Sequence, residues 1–444
     1  MTSIIDPLKK ESLTTLRIQY NWKRDIVRLE AAKEWESDTD FSQYNRTFCA
    51  DDILTEDARY LNTAETRLLY RKYGLEDYLD TIISLIRKGK HLGITLYYYS
   101  ERDIKFVCHR HSVKRGINNR RGAMFIDGIR RYEPEDNELD MIKDGLAISR
   151  GMSLKCIAGD ISFGGSKSTV QMTPVDLEDM KTLGFLAYAL DRNRCMTGAD
   201  MKMPTEIADV ENRYYSMSYT SGPSSPLGES GRPTAYGVFE TLKKAVEFKE
   251  GKPDLDGKSA VVIGLGAVGM HMAQMLADNG VRLYVSDTNT GNIDKFIAAN
   301  PGKDIKAADV SEALYLDVDI ISPCAVGGII TEDNIEKFKC RYIWGSANNQ
   351  IKASDIDEEI QIAKLLNDAG IVFQTEWWHN TAGVMCAALE YMEGDKATFN
   401  QLVDIIDRTL PGSTLNNFAE AKAKGITPTE NAYLTCNRML YDEA

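Results

Sequence analysis

Three observations predict an α/β chain of two domains. Its 444 residues exceed what one hydrophobic core usually serves. Near the midpoint, the Gly-, Pro- and Ser-dense stretch YTSGPSSPLGESGRP separates two regular patterns. Beyond it, GKSAVVIGLGAVGMHMAQMLADNGVRLYVSDTN reads as strand, glycine turn, helix, strand and terminal acid. The expected divisions are a helical N-terminal extension over 1–92, a first α/β domain over 93–232 and a dinucleotide-binding domain over 233–399.

The extension is expected to be helical from LTTLRIQYNWKRDIVRLEAAKEW and AETRLLYRKYGLEDYLDTIISLIRKG, which are charged and Tyr-rich and show no chemistry. Packing against the body of the protein or a neighbouring subunit is their expected role. GITLYYYS and IKFVCHRHSV alternate as strands around the turn ERD, predicting a hairpin at the edge of the first domain. The helical run ELDMIKDGLAISRGMSLKCIA follows, then a glycine turn FGGSK and the strand STVQM. After the midpoint loop, TAYGVFETLKKAVEF predicts a helix, and DVDIISPCAVGGII, YIWGSANNQI and GIVFQTEWW predict the remaining sheet.

The net charge of −13 disfavours nucleic acid and anionic membrane surfaces as partners. The start MTSIIDPLKKESLTTLRIQYNWKRD has no apolar stretch of signal-peptide length, so a cytoplasmic location is expected. Eight scattered cysteines (Cys49, Cys108, Cys156, Cys195, Cys324, Cys340, Cys386, Cys436) form no CxxC pair, and the five histidines show no ligand spacing. Reduced thiols and no metal are expected.

The glycine run has a definite physical purpose. Gly264 makes the tight turn, Gly266 lets backbone approach a pyrophosphate along with Ala267 and Val268, and Gly269 lets the helix pack closely on its strand. Asp287, 23 residues beyond Gly264, ends the next strand. A carboxylate there accepts hydrogen bonds from ribose hydroxyls and repels a phosphate, so NAD is the expected cofactor in a Rossmann domain.

Two lysines twelve residues apart, Lys155 and Lys167, precede Asp200 in TGADM. Two ammonium groups beside a carboxylate suit the binding and deprotonation of a small anionic substrate. The segments DGIRRY, GLAISRGMSLKCIAGDISFGGSK, TGADM, PTAYGV, VVIGLGAVG, SPCAVGGII, GSANNQI and HNTAGV, over roughly residues 95 to 390, resemble the glutamate, leucine, phenylalanine and valine dehydrogenase family. The leucine and phenylalanine branch is the more similar.

The resemblance implies reversible oxidative deamination of an L-amino acid to a 2-oxo acid and ammonia. It also implies a first domain for substrate binding and oligomerisation, completed by C-terminal helices 400–444, and a cleft between domains that holds the active site. A homo-oligomer is expected. Lys155 matches the family lysine that grips the substrate carboxylate, and Lys167 the catalytic lysine that activates water. Asp200 matches the acid that moves protons at the substrate nitrogen. Gly128 leaves room for the substrate backbone, and Asn380 helps hold its carboxylate. Thr234 and Asn348 match residues that orient the nicotinamide carboxamide, and Ala325 lies against its ribose.

Glutamate enzymes of the family hold the side-chain carboxylate with a lysine and a serine where this chain has Ile126 and Ala387. An unpartnered buried carboxylate costs several kcal/mol, so an apolar or aromatic substrate is expected. Gly198, smaller than the alanine of leucine enzymes, points the same way. Ser166, Asp127 and Lys202 depart from the family pattern. Asp127 is expected to pair with Arg130 or Arg131, or else to meet a substrate ammonium, which keeps a basic amino acid open. A catalytically silent binding protein and a hydroxyacid dehydrogenase using His379 are the rival expectations.

Overall fold

The first segment expected to be helical is instead an antiparallel hairpin, β1 (Thr15–Asn21) and β2 (Ile26–Lys33). The computed structural model describes residues 3–44, 53–113, 116, 122–214 and 219–441, so Cys49 and the last three residues of the C-terminal segment lie outside the described residues. Leu16 and Ile18 on one strand, and Leu29 and Ala31 on the other, are buried. Their spacing of two is a strand signature that the many charged neighbours obscure. The next segment expected to be helical does form helices, but as two, Thr63–Lys72 and Glu76–Lys88. Asn62 and Glu65 make a capping box for the former, and Leu79, Ile82, Ile83 and Ile86 give the latter its buried stripe.

No boundary falls at residue 92. The chain divides into two compact units, the first comprising Met1–Cys156, Ile161–Glu229 and Ala387–Ala397. The second comprises Ile157–Asp160, Ser230–Cys386 and Thr398–Ala444. The chain thus passes from one to the other inside the Gly-, Pro- and Ser-dense stretch.

In the first unit, β1 and β2 join β3 (Arg59–Leu61), β4 (Gly93–Tyr99), β5 (Ile104–Ser112), β6 (Phe125–Ile126), β7 (Ile129–Tyr132), β8 (Gly164–Gln171), β9 (Cys195–Gly198) and β10 (Tyr219–Thr220). The sheet order is β10-β9-β6-β8-β5-β4-β1-β2-β3, with β7 also pairing with β8. The β4–β5 hairpin forms antiparallel but lies in the interior of the sheet, not at its edge. The reason is that β4 is buried on both faces. Ile94 and Leu96 face the core of Ile82, Ile86 and Met141, whereas Tyr97 and Tyr99 face the aromatic core of Trp35, Phe41 and Phe185.

FGGSK, expected as a turn, largely belongs to strand β8, every residue of which is buried. A Cβ on Gly164 would lie 2.1 Å from Ser112 O, and one on Gly165 2.2 Å from Ser153 N. These glycines therefore serve close packing within a strand. The Glu138–Ala158 helix makes a similar approach at Gly145, where a Cβ would come within 2.3 Å of the His109 ring. Gly145→Ala is expected to destabilise the protein by about 1–3 kcal/mol through overpacking, despite alanine's better helix propensity. Chemical denaturation checks this, and an unchanged or higher stability would show that the ring can yield.

The second unit contains a parallel sheet of β11 (Ser259–Ile263), β12 (Arg282–Ser286), β13 (Ile305–Ala307), β14 (Ile320–Pro323) and β15 (Tyr342–Ile343), in the order β13-β12-β11-β14-β15. This is the Rossmann arrangement the sequence predicts, with the order reversing beside β11. The C-terminal helices Phe399–Lys424 and Pro428–Tyr441 belong to this unit, contrary to the expectation that they complete the first. Phe418 stacks on Phe248 at 5.0 Å, Arg232 lies 4.0 Å over the Phe399 ring, and Asp407 accepts a hydrogen bond from Tyr236. All three partners lie on the Gly231–Glu250 helix. Among the described residues, no helix is long and apolar enough to cross a membrane.

Candidate active site

The candidate catalytic residues of the first unit sit at a break in its sheet. β6 pairs with β8 as Phe125↔Gly164 and Ile126↔Gly165, and β7 resumes at Ile129↔Ser168 with the same offset. Asp127 and Gly128 therefore stand opposite Ser166 and Lys167. Lys167 is 3 % exposed, and its ammonium pairs with Asp200 Oδ2. Asp200 is placed by its own backbone, whose N–H donates to Ile129 O at 3.0 Å. A Cβ on Gly128 would lie 2.5 Å from Lys167 Nζ and 3.6 Å from Asp200 Oδ2. The bare face of Gly128 thus opens directly onto both reactive groups.

Arg130, which the sequence shows only as one of two adjacent arginines, donates from Nε to Asp200 Oδ2 at 3.0 Å and from Nη1 to Asp144 at 2.9 Å. Tyr132 also binds Asp144. Burial by itself raises Asp200, but the charges of Lys167 and Arg130 outweigh it and hold the carboxyl well below the usual range. A carboxylate kept ionised between two cations, beside an open glycine face, can accept a hydrogen bond from a small bound amine or water and orient it.

Two of the three departures have structural explanations. Asp127 pairs with neither arginine: Arg131 binds Glu133, Lys202 O and Met172 O, and Arg130 is committed as above. The Asp127 carboxylate is buried and accepts from Gly128 N (2.6 Å), Ser168 N (2.7 Å), Ser166 Oγ (2.7 Å) and Ser168 Oγ (3.1 Å). With its oxygens so occupied it does not meet a substrate ammonium, and the case for a basic amino acid loses its support. Lys202 has φ 59°, the left-handed backbone that favours glycine, and its side chain reaches out to Glu133 at 3.4 Å.

The other expected substrate residues are placed less directly. Lys155 is half-buried in the last turn of the Glu138–Ala158 helix, two residues past Ser153, where that helix packs on Gly165. Ile126 is buried at the end of β6, and its carbonyl lies 3.3 Å from Ser166 Oγ. A Cβ on Gly198 would meet Thr220 O at 3.2 Å, so the neighbouring strand occupies that side. Ala387 is half-buried on the Ala382–Glu393 helix. Asn380 lies in the second unit, where Nδ2 donates to Ser346 O (3.0 Å) and Asn348 Oδ1 (2.9 Å). Its Oδ1 is the atom left without a partner.

The residues expected to bind the cofactor lie in the second unit. Gly264 has φ 97° after β11, and its absent Cβ would lie 2.5 Å from that of Ala325. Gly269 comes so close to Gly264 O that a side chain would overlap it, and a Cβ on Gly266 would meet nothing within 4 Å. That open face beside Ala267, Val268 and the N-terminus of the Gly269–Asp278 helix fits the pyrophosphate of a dinucleotide. Asp287 immediately follows β12, accepting from Leu265 N at 2.6 Å and Asn289 N at 2.7 Å. Thr234 Oγ1 donates to Ser230 O at 2.7 Å on the Gly231–Glu250 helix, and Asn348 is exposed. His379 stacks on Trp344 at 4.2 Å, and its Nε2 lies 3.1 Å from Gly345 O, a buried structural setting.

Comparison with known proteins identifies the family. Residues 286–440 match the model of the Glutamate/Leucine/Phenylalanine/Valine dehydrogenase family. Leucine dehydrogenase of Thermoactinomyces intermedius is 30% identical over 321 residues, 71% of this chain and 82% of that one. The chain belongs to the glutamate, leucine, phenylalanine and valine dehydrogenase family. Phenylalanine dehydrogenase of Lysinibacillus sphaericus is likewise 30% identical over 71% of this chain and 81% of its own. The crystal structure of L-tryptophan dehydrogenase from Nostoc punctiforme shares the fold, with a TM-score of 0.65 and 24% identity over 81% of this chain and 98% of that chain. Membership in the leucine and phenylalanine branch makes this chain an amino acid dehydrogenase, an oxidoreductase acting on CH–NH2 groups.

Sequence reasoning missed Arg130 as a partner of Asp200 and His109 as a support for Lys167. His109 Nδ1 lies 2.9 Å from Lys167 O, and because a carbonyl only accepts, Nδ1 carries the proton. The spacing of His109 and Lys167 across β5 and β8 has no signature in one chain.

Proposed function

We propose that this protein catalyses the NAD-dependent, reversible oxidative deamination of an L-amino acid with an apolar or aromatic side chain. The observation that carries the proposal is the Lys167–Asp200 pair set against the bare face of Gly128. Bound NAD supplies a hydride acceptor. The remaining work falls to the chain's own groups. Lys155 holds the substrate carboxylate as a point charge. Lys167 orients and activates the water that adds to the substrate carbon, and Asp200 takes and returns protons at the nitrogen. Ile126 and Ala387 offer no charge for a side-chain carboxylate, which would leave glutamate with an unpaired buried anion.

A spectrophotometric screen of the twenty amino acids plus ornithine, each with NAD and with NADP, tests this directly. Leucine, phenylalanine, tryptophan or a similar apolar substrate is expected to give the largest kcat/KM. Turnover of glutamate alone, or of nothing, would overturn the proposal.

Asp287 supports the choice of NAD because its carboxylate lies just past β12 beside the glycine loop. Asp287→Ala is expected to weaken NAD by about tenfold and to leave NADP unchanged or tighter. Fluorescence titration with both reduced cofactors reads the ratio, and an unaltered ratio would assign the ribose to another residue.

A further inference from the structure

Across the break between β6 and β7, the backbone N–H of Ser168 donates to Gly128 O at 3.3 Å. The Asp127 side chain adds further hydrogen bonds at the same point. Of its four hydrogen-bond donors, Gly128 N faces Lys167 and the other three come from Ser166 and Ser168, the residues that flank the lysine. The carboxylate therefore ties both sides of the break together at the point where Gly128 faces the lysine amine. Its own backbone N–H donates to Met196 O at 2.8 Å, which joins the same unit to β9 and the strand end that carries Asp200.

The surroundings keep this arrangement dry. Cys108 and Cys195 lie behind it, both fully buried, with sulfurs 3.7 Å apart and Cys195 Sγ 3.5 Å from Ser166 Oγ. Burial raises the Asp127 carboxyl above its usual range, its hydrogen bonds and the nearby Lys167 charge oppose that, and removing the acceptor strands several buried donors. Ser166 also gains its explanation here. A glycine at that position gives Asp127 no hydroxyl, so the two departures form one structural unit.

We propose that Asp127 is a positioning residue for Lys167: with Ser166 and Ser168 it bridges the sheet break and fixes the separation between the amine and the bare face of Gly128. This rests on the assignment of Lys167 and Asp200 to catalysis made above. A shift of roughly 1 Å in a reacting group can cost on the order of a hundredfold in rate, so the bridge bears on turnover rather than on binding.

Two readouts separate this proposal from the catalytic one. The first is kinetic. Asp127→Ala is expected to lower kcat by at least about tenfold with KM for the amino acid within about twofold, and Asp127→Asn, which keeps the shape and one carbonyl acceptor, to stay within about threefold of the native enzyme. Ser166→Ala, a milder change, tests the same network if Asp127→Ala does not fold. The second needs no substrate. Acylation of Lys167 by an amine-reactive ester, read by peptide mass spectrometry, is expected to rise about threefold or more in Asp127→Ala, with the buried Lys105 as an internal control. A raised KM at native kcat, or unchanged labelling of Lys167, overturns the bridge. Faster labelling of Lys167 in a protein that oxidises no amino acid leaves the bridge standing and removes the proposed reaction.

Discussion

Lys167→Ala is expected to reduce NADH formation by about a thousandfold while NAD binds within about twofold of its native affinity. The amine is buried against Asp200 and faces Gly128, in the first compact unit, whereas the glycine loop and Asp287 belong to the second. Removing it takes away a group proposed to act on substrate and leaves every proposed cofactor contact in place. Asp200 keeps Arg130 as its partner, so the carboxylate stays charged and the site does not collapse around an isolated anion. Stopped-flow turnover and cofactor titration on the same preparation decide the matter. Near-native turnover would remove Lys167 from the mechanism, and loss of NAD binding would make its role structural.

Acid is expected to destabilise the protein between about pH 6.5 and 5, before most carboxylates protonate. His91, His109 and His111 are buried close to the Glu138–Ala158 helix, His91 and His111 stacking edge to face at 4.9 Å. Burial pushes His91 and His109 down to about 4 and His111 well below its ordinary value. The sign follows from linkage. Unfolded imidazoles take up protons near pH 6.5 and the folded ones refuse them until about pH 4. Their contribution is thus fully present above pH 6.5 and is lost as pH falls through that window, at roughly 2 kcal/mol each for His91 and His109 by pH 5, with His111 acting in the same direction. Urea titrations at pH 7.5 and pH 5, with imidazole NMR to follow each ring, measure it. Rings that titrate near 6.5 in the folded protein, or a stability that does not change, would contradict the burial argument.

Much of the second unit was legible because its signals are local. VVIGLGAVG, the helix after it and Asp287 lie within one continuous run, and each step has its own steric reason. The N-terminal hairpin was misread because charged residues between Leu16, Ile18, Leu29 and Ala31 hide a period of two in a sequence that also fits a helix. FGGSK was misread because glycine pairs usually signal turns, and the crowding at Gly164 and Gly165 comes from Ser112 and Ser153, distant in sequence. The C-terminal helices were assigned to the wrong unit for a related reason. An amphipathic pattern shows that a helix buries one face but not which neighbour covers it.

The same division runs through the site. Lys155, Lys167, Asp200 and Gly128 were each marked by the short motifs around them, as was the cofactor loop. That Asp200 is held between Lys167 and Arg130, and that Asp127 belongs to Ser166 and Ser168 rather than to an arginine, was decided only by tertiary structure. Sequence by itself determined which chemical groups the protein carries and the local elements that present them, because both depend on neighbours along the chain. Only the folded sheet decided their pairing, since opposite charges and donors meet through strand register, and register at the β6–β8 break joins residues about forty apart in sequence.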